Sequence, residues 1–260
     1  MKEEISNRTE RVSGKRDGRY LYAVVSGAGD KTRDMVGIHE GPVYAISDGR
    51  VAAVVSDVPN EKIRPERRHL AAHQEVLKGL MKESTVLPMA FGIIADSPKA
   101  IHRILSHNQK AFLEQLHRVA GKVEMGVRVT WDAPNIFEYF VNTHPELKIA
   151  RDNLLGKYRE PSQEDKIEVG RMFDRLLNED REIHAEKVEA VLSPVCFEIK
   201  RNPARNEREV MNLACLVGRD DQKRFEKGVF EAANLFDDNF AFDFNGPWAP
   251  HNFTELDLKM

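Results

Sequence analysis

Two histidines, His69 and His73, stand one helical turn apart, the spacing at which a helix offers two imidazoles to one metal ion. No glutamate lies between them in HExxH order, and no Cys/His cluster supplies further ligands. They read as one histidine on the apolar face of a helix and one at its border. The two cysteines, Cys196 and Cys215, lack the Cys-X-X-Cys spacing of a redox site. If Val195, Phe197 and Ile199 share an inner face with Met211, Leu213 and Cys215, then Cys196 points the other way. Strand parity then keeps the two thiols unbonded, as packing residues. Ser26-Gly-Ala-Gly29 looks like a piece of a phosphate loop, but Gly-Lys-Ser/Thr does not follow, so it reads as a turn. Gly-X-Ser-X-Gly and Rossmann glycine patterns are absent. Asp237, Asp238 and Asp243 are near neighbours at a helix end and a strand edge, where carboxylates usually face solvent. These residues argue against catalysis and give no expectation of a metal or cofactor.

The elements that must hold these residues fall into two groups. Tyr20–Ser26 is an apolar strand. Val43–Ile46 and Val51–Val55 flank Ser47-Asp48-Gly49-Arg50, and Asp-Gly suits a two-residue hairpin. Pro65 opens a helix whose Leu70, His73, Leu77 and Leu80 recur on one face. Thr85–Gly92 is a short apolar segment whose Pro88 requires an edge strand or a strand end. Ser97 and Pro98 begin a helix with Ile101, Ile104, Leu105, Phe112 and Val119. The order β-β-β-α-β-α predicts an N-terminal α+β domain over 20–121, after a disordered arm at 1–19.

Val123, Met125, Val127, Val129 and Trp131 alternate with polar residues and glycine, the period of a half-buried strand. A helical region follows from Ala133 to about Glu189, broken near His144-Pro145 and Glu160-Pro161, with Val169, Phe173, Leu176, Leu177 and Ile183 on one stripe. Strands at Val191–Ile199 and Val210–Val217, a helix at Asp220–Leu235 and a strand from Phe240 complete β-α-β-β-α-β. The fold class is α+β: two packed α/β domains, the second (122–245) ferredoxin-like with an enlarged helical crossover and strand order 4-1-3-2. Phe240, Phe242 and Phe244 alternate with polar or small residues until Gly246-Pro247 ends the strand. An aromatic and proline-rich tail, 246–260, follows. Its Phe244, Gly246, Pro247, Trp248 and Phe253 are the residues expected to pack the chain's own core or to touch a partner.

Composition narrows the partners. A net charge of −3 gives no global pull towards nucleic acid or an anionic membrane. The longest apolar runs, such as Val51–Val55, are too short to span a bilayer. The N-terminus has no h-region, and two cysteines fit a reducing cytoplasm.

Four stretches together resemble the gas vesicle protein F/L family (GvpF/GvpL): Thr85-Val-Leu-Pro-Met-Ala-Phe-Gly92, Val123–Trp131, Leu192-Ser-Pro194 and Phe242-Asp-Phe-Asn-Gly-Pro-Trp-Ala-Pro-His-Asn-Phe253. The Tyr20-Leu-Tyr-Ala strand and Leu70-Ala-Ala-His73 helix fit as well, so the resemblance runs from about Tyr20 to Phe253. Ala90, Ala249 and His251 depart from the pattern, where a basic residue, a proline and a tyrosine are common. The resemblance implies a non-enzymatic accessory or minor structural protein of the gas vesicle, a gas-filled protein organelle of prokaryotes. It also implies two α/β domains, and as partners the hydrophobic shell protein and other gas vesicle accessory proteins. The rival expectation is a ferredoxin-like domain that binds a small molecule in regulation or catalysis. A deep pocket with convergent polar groups would mark that rival.

Overall fold

The computed structural model describes residues 18–27, 32–156 and 162–255. The expected arm lies outside these residues except for Gly18 and Arg19, and Gly29 of the expected Ser26–Gly29 turn lies outside them too. The chain separates into two compact units: Met1–Val123 with Trp248–Met260, and Glu124–Pro247.

The first unit holds β1 (Gly18–Ser26), β2 (Thr32–Val36), β3 (Pro42–Ser47), β4 (Val51–Val58), α1 (Arg67–Glu83), β5 (Val86–Pro88), β6 (Ile94–Ala95) and α2 (Pro98–Val119). The sheet runs β2-β3-β4-β1-β5, with β6 also paired to β1. Tyr20 through Val25 are all buried, because β1 lies in the sheet interior, and this matches their continuous apolar run. The β3–β4 hairpin closes with Asp48 N–H donating to the Val51 carbonyl (3.1 Å) and Gly49 at φ +99°, a dihedral that favours glycine. β5 takes the sheet edge, where Pro88 withholds no ladder donor. Ser97 caps α2 by accepting from Ala100 N–H (3.2 Å). Sequence patterning misses β2 and β6: β2 reads Thr-Arg-Asp-Met-Val, and β6 is two residues long. In α1 the expected stripe is off by one residue at its start. Leu70 is 42% exposed, and the buried face is His69, His73, Val76, Leu77, Leu80 and Met81. Both histidines are therefore interior, not one at a border.

The second unit is built on β7 (Lys122–Trp131), α3 (Ile136–Thr143), α4 (Pro145–Leu155), α5 (Gln163–Leu192), β8 (Glu198–Asn202), β9 (Glu209–Gly218), α6 (Gln222–Ala233) and β10 (Phe240–Trp248). Its sheet runs β10-β7-β9-β8, which in chain order reads 4-1-3-2. Trp131 N–H donates to the Arg208 carbonyl (2.9 Å) and Asp132 N–H to the Asn239 carbonyl (2.7 Å). The end of β7 thus meets the starts of both β9 and β10, as antiparallel neighbours must. Six α-helices and two antiparallel sheets make the described chain a mixed α+β protein.

Three expectations are corrected here. The strand placed at Val191–Ile199 begins instead at Glu198. Val188 and Leu192 extend the buried stripe of α5, and Pro194 fits the single 3-10 turn Ser193–Val195 that follows. Ile183 is exposed rather than on that stripe. The cysteine parity also fails. Leu216 stands opposite Glu198 in the ladder, yet its carbonyl also accepts from Phe197 N–H (2.8 Å). That one-residue slip turns Cys196 towards Cys215, and their thiols make contact while both remain free.

Helix-to-sheet attachment in this unit is electrostatic as well as apolar. Arg201 of β8 reaches Glu189 (2.5 Å) and Glu182 (2.6 Å) on α5, and these carboxylates push its guanidinium pKa up. Ser162 and Asp165 form a capping box at the start of α5, each satisfying a backbone N–H of the other.

Candidate interaction surface

β10 is an edge strand: β7 pairs with one side, and no strand of this sheet lies on the other among the described residues. Phe240, Phe242 and Phe244 are half-buried and alternate with exposed Ala241, Asp243 and Asn245, as period two requires. The phenylalanine face meets helices. Phe236, beyond the end of α6, lies 5.0 Å from Phe240 and 5.1 Å from Phe242, ring to ring. His184 of α5 lies 4.9 Å from Phe240, and Phe230 of α6 lies 6.3 Å from Phe244. Phe230 is 58% exposed, so the aromatic row opens at its Phe244 end onto accessible apolar surface. Lys187 covers the other end, its ammonium 4.7 Å above the Phe236 ring and donating to the Leu235 carbonyl (2.7 Å). On the opposite face Asp243 pairs with Arg128 of β7 (2.7 Å).

The end of β10 is set by glycines. A Cβ on Gly126 would come 2.8 Å from Asn245 Oδ1. Gly246 has φ +126°, and a Cβ there would meet Met125 Sδ at 2.8 Å and the Glu124 carbonyl at 3.0 Å. The peptide bond between Gly246 and Pro247 is cis, and Pro247 is exposed. The strand does not stop at Gly246-Pro247 but runs to Trp248, because an edge strand tolerates a residue without an N–H.

The tail enters the first unit. Trp248 is half-buried, with the Lys78 ammonium of α1 5.5 Å from its ring centre. Ala249 and Pro250 are buried, and a 3-10 turn at His251–Phe253 places Phe253 at 0% exposure. Of the residues singled out from sequence, Phe244, Gly246 and Pro247 thus sit in the second unit, and Trp248 and Phe253 in the first.

A buried polar cluster in the first unit escapes sequence patterning. The Tyr20 hydroxyl bonds to His73 Nδ1 (2.9 Å) and accepts from Gly92 N–H (3.1 Å). The Tyr22 hydroxyl bonds to Ser56 Oγ (2.8 Å) and accepts from Ile38 N–H (2.7 Å). Phe91 lies 5.8 Å from the His73 ring. Burial, helped by the neighbouring His251, pushes the His73 pKa down to about 4, and burial pushes both tyrosines up. The imidazole is 2% exposed and sealed from any substrate; its Nδ1 is bonded to Tyr20, while its buried Nε2 has no hydrogen-bond partner among the described residues. The sequence signals for it were Tyr20 and Tyr22 on one strand face and His73 on the apolar face of its helix. Among the described residues no group of three or more His, Cys, Asp or Glu side chains is arranged to hold a metal ion. No described helix is long and apolar enough to cross a membrane.

Comparison with known proteins places this architecture. The sequence profile "Gas vesicle synthesis protein GvpL/GvpF" matches residues 18–255. Gas vesicle protein F of Dolichospermum flosaquae is 27% identical over 241 residues, covering 92% of this chain and 98% of the relative. Gas vesicle protein L1 of Halobacterium salinarum is 25% identical over 263 residues, covering 91% and 90%. The crystal structure of GvpF from Anabaena sp. PCC7120 superposes with a TM-score of 0.80 at 25% identity, over 93% of this chain and 99% of that one. That of GvpF from Microcystis aeruginosa gives a TM-score of 0.77 at 22% identity and shares the fold. The chain belongs to the GvpL/GvpF gas vesicle synthesis family.

Proposed function

We propose that this protein is a non-enzymatic accessory or minor structural component of gas vesicle formation. It binds the hydrophobic shell subunit and keeps it from aggregating while the vesicle wall nucleates and grows. A subunit that will line a gas space carries apolar surface before assembly, and such surface self-associates in water. Masking it calls for an apolar surface or an open strand edge on the binder. The observation that carries the reading is β10, an edge strand whose Phe244 continues into the exposed ring of Phe230. Phe244 is thus the contact residue, and Gly246 and Pro247 shape the strand end. Trp248 and Phe253 serve the packing of the first unit.

The strand order of the second unit supports reading it as ferredoxin-like, with α3, α4 and α5 as the enlarged first crossover. The working place of the protein is then the growing vesicle in the cytoplasm. Deletion of its gene in a vesicle-forming host tests the role: shell protein should still be made while normal vesicles are lost. Complementation with Phe244→Asp should fail although the variant accumulates. Normal vesicles in the deletion strain, with no paralogue present, would overturn the proposal.

A further inference from the structure

The second unit contains a thiol pair that the proposed binding role does not use. Cys196 follows the 3-10 turn Ser193–Val195 and is half-exposed, whereas Cys215 lies in β9 at 0% exposure. The ladder places Ile199 opposite Cys215 and Glu198 opposite Leu216, and Phe197 N–H donates to that same Leu216. The resulting slip brings the Cys196 thiol into contact with the Cys215 thiol. We propose that Cys196 and Cys215 form a hydroperoxide-sensitive dithiol, in which Cys196 meets the oxidant and Cys215 resolves it as an intramolecular disulfide.

Accessibility assigns the two roles. The neighbouring Cys196 thiol and burial raise the pKa of Cys215, so it stays protonated and shielded from small oxidants. Of the two, Cys196 is the residue with surface open to solvent. Its thiolate attacks one peroxide oxygen, the O–O bond breaks, and the departing hydroxide takes up a proton to leave as water. Cys196 is then a sulfenic acid, oxidised by two electrons, and the peroxide is reduced by two. Cys215 gives up its proton, its sulfur attacks that of Cys196, the S–O bond breaks, and a second water leaves. The register slip sets Cys196 beside Cys215 on one face of the β8–β9 pair, the side-by-side placement that a disulfide requires.

The bond would act on a packed joint. A Cβ on Gly228 of α6 would meet Leu192 at 3.3 Å and Val195 at 3.5 Å, so the segment just before Cys196 lies against α6. Oxidation would tie this segment to β9 and close the loop that contains β8. Resistance to unfolding should rise, as a crosslink restricts the unfolded chain.

The test treats the full-length protein with a small excess of hydrogen peroxide, blocks remaining thiols and maps the peptides. The expected product is a Cys196–Cys215 crosslinked peptide within one chain, reversed by dithiothreitol, with a raised denaturant midpoint before reduction. In Cys215→Ser, dimedone should trap sulfenic acid at Cys196. In Cys196→Ser, Cys215 should resist peroxide until the chain is unfolded. Wild-type protein that stops at Cys196 sulfinic acid, crosslinks only between chains, or leaves both thiols unmodified would overturn the assignment.

Discussion

His73 is enclosed by Tyr20, Tyr22 and Phe91, and a pKa of about 4 keeps its imidazole neutral around pH 7. An unfolded histidine titrates near 6.5, so the folded state binds its proton less readily than the unfolded one. The stabilisation is present in full above pH 6.5 and is lost as pH falls towards about 4. Its full size is roughly 3 kcal/mol, at about 1.4 kcal/mol per pK unit. Denaturant midpoints should therefore drop across that window, and His73→Phe should flatten the slope by about one proton. At Gly246 the expected effect is steric. Gly246→Ala meets both a positive φ and the Glu124 carbonyl, and should destabilise by about 1–3 kcal/mol in equilibrium unfolding. The tail aromatics differ in kind. Phe253→Ala removes a fully buried ring and should cost about 3–5 kcal/mol, whereas Trp248→Ala, at a half-buried ring, should cost less.

Elements were legible where periodicity and punctuation agreed. β7, β9, α2, α6 and the break at His144-Pro145 all follow apolar spacing, caps or prolines in the sequence, whereas the break expected at Glu160-Pro161 lies outside the described residues. β2 and β6 were not legible, because a five-residue polar strand and a two-residue strand are held by their neighbours rather than by their own pattern. Val191 and Leu192 satisfy both a strand run and the continuing helical stripe of α5, and tertiary burial decided for the helix. The same ambiguity hid the register slip at Phe197, and with it the contact between the cysteines. Of the candidate surface, the Phe240–Phe244 alternation was readable, but Phe236 and Phe230 entered only through the placement of α6 and the residues after it. At this scale Phe244→Asp should leave the unfolding midpoint nearly unchanged, because the ring is only half-buried at the Phe230 end. The same variant should lose capture of shell protein in a pull-down.

For the whole molecule, connectivity matters as much as composition. The chain leaves the first unit after Val123 and supplies Trp248 onward to that same unit again. Truncation after Pro247 should therefore destabilise the first unit, which loses Phe253, although the residues removed lie far from it in sequence. Hydrogen exchange should show faster exchange in α1 and β1 of the truncated chain. The proposed holding of shell subunits is tested most directly by diluting denatured shell protein into buffer with equimolar full-length chain and following light scattering. Scattering should be suppressed without added nucleotide, and Phe244→Asp, folded by its unfolding midpoint, should fail to suppress it. Scattering that rises equally with and without the protein would contradict the proposal.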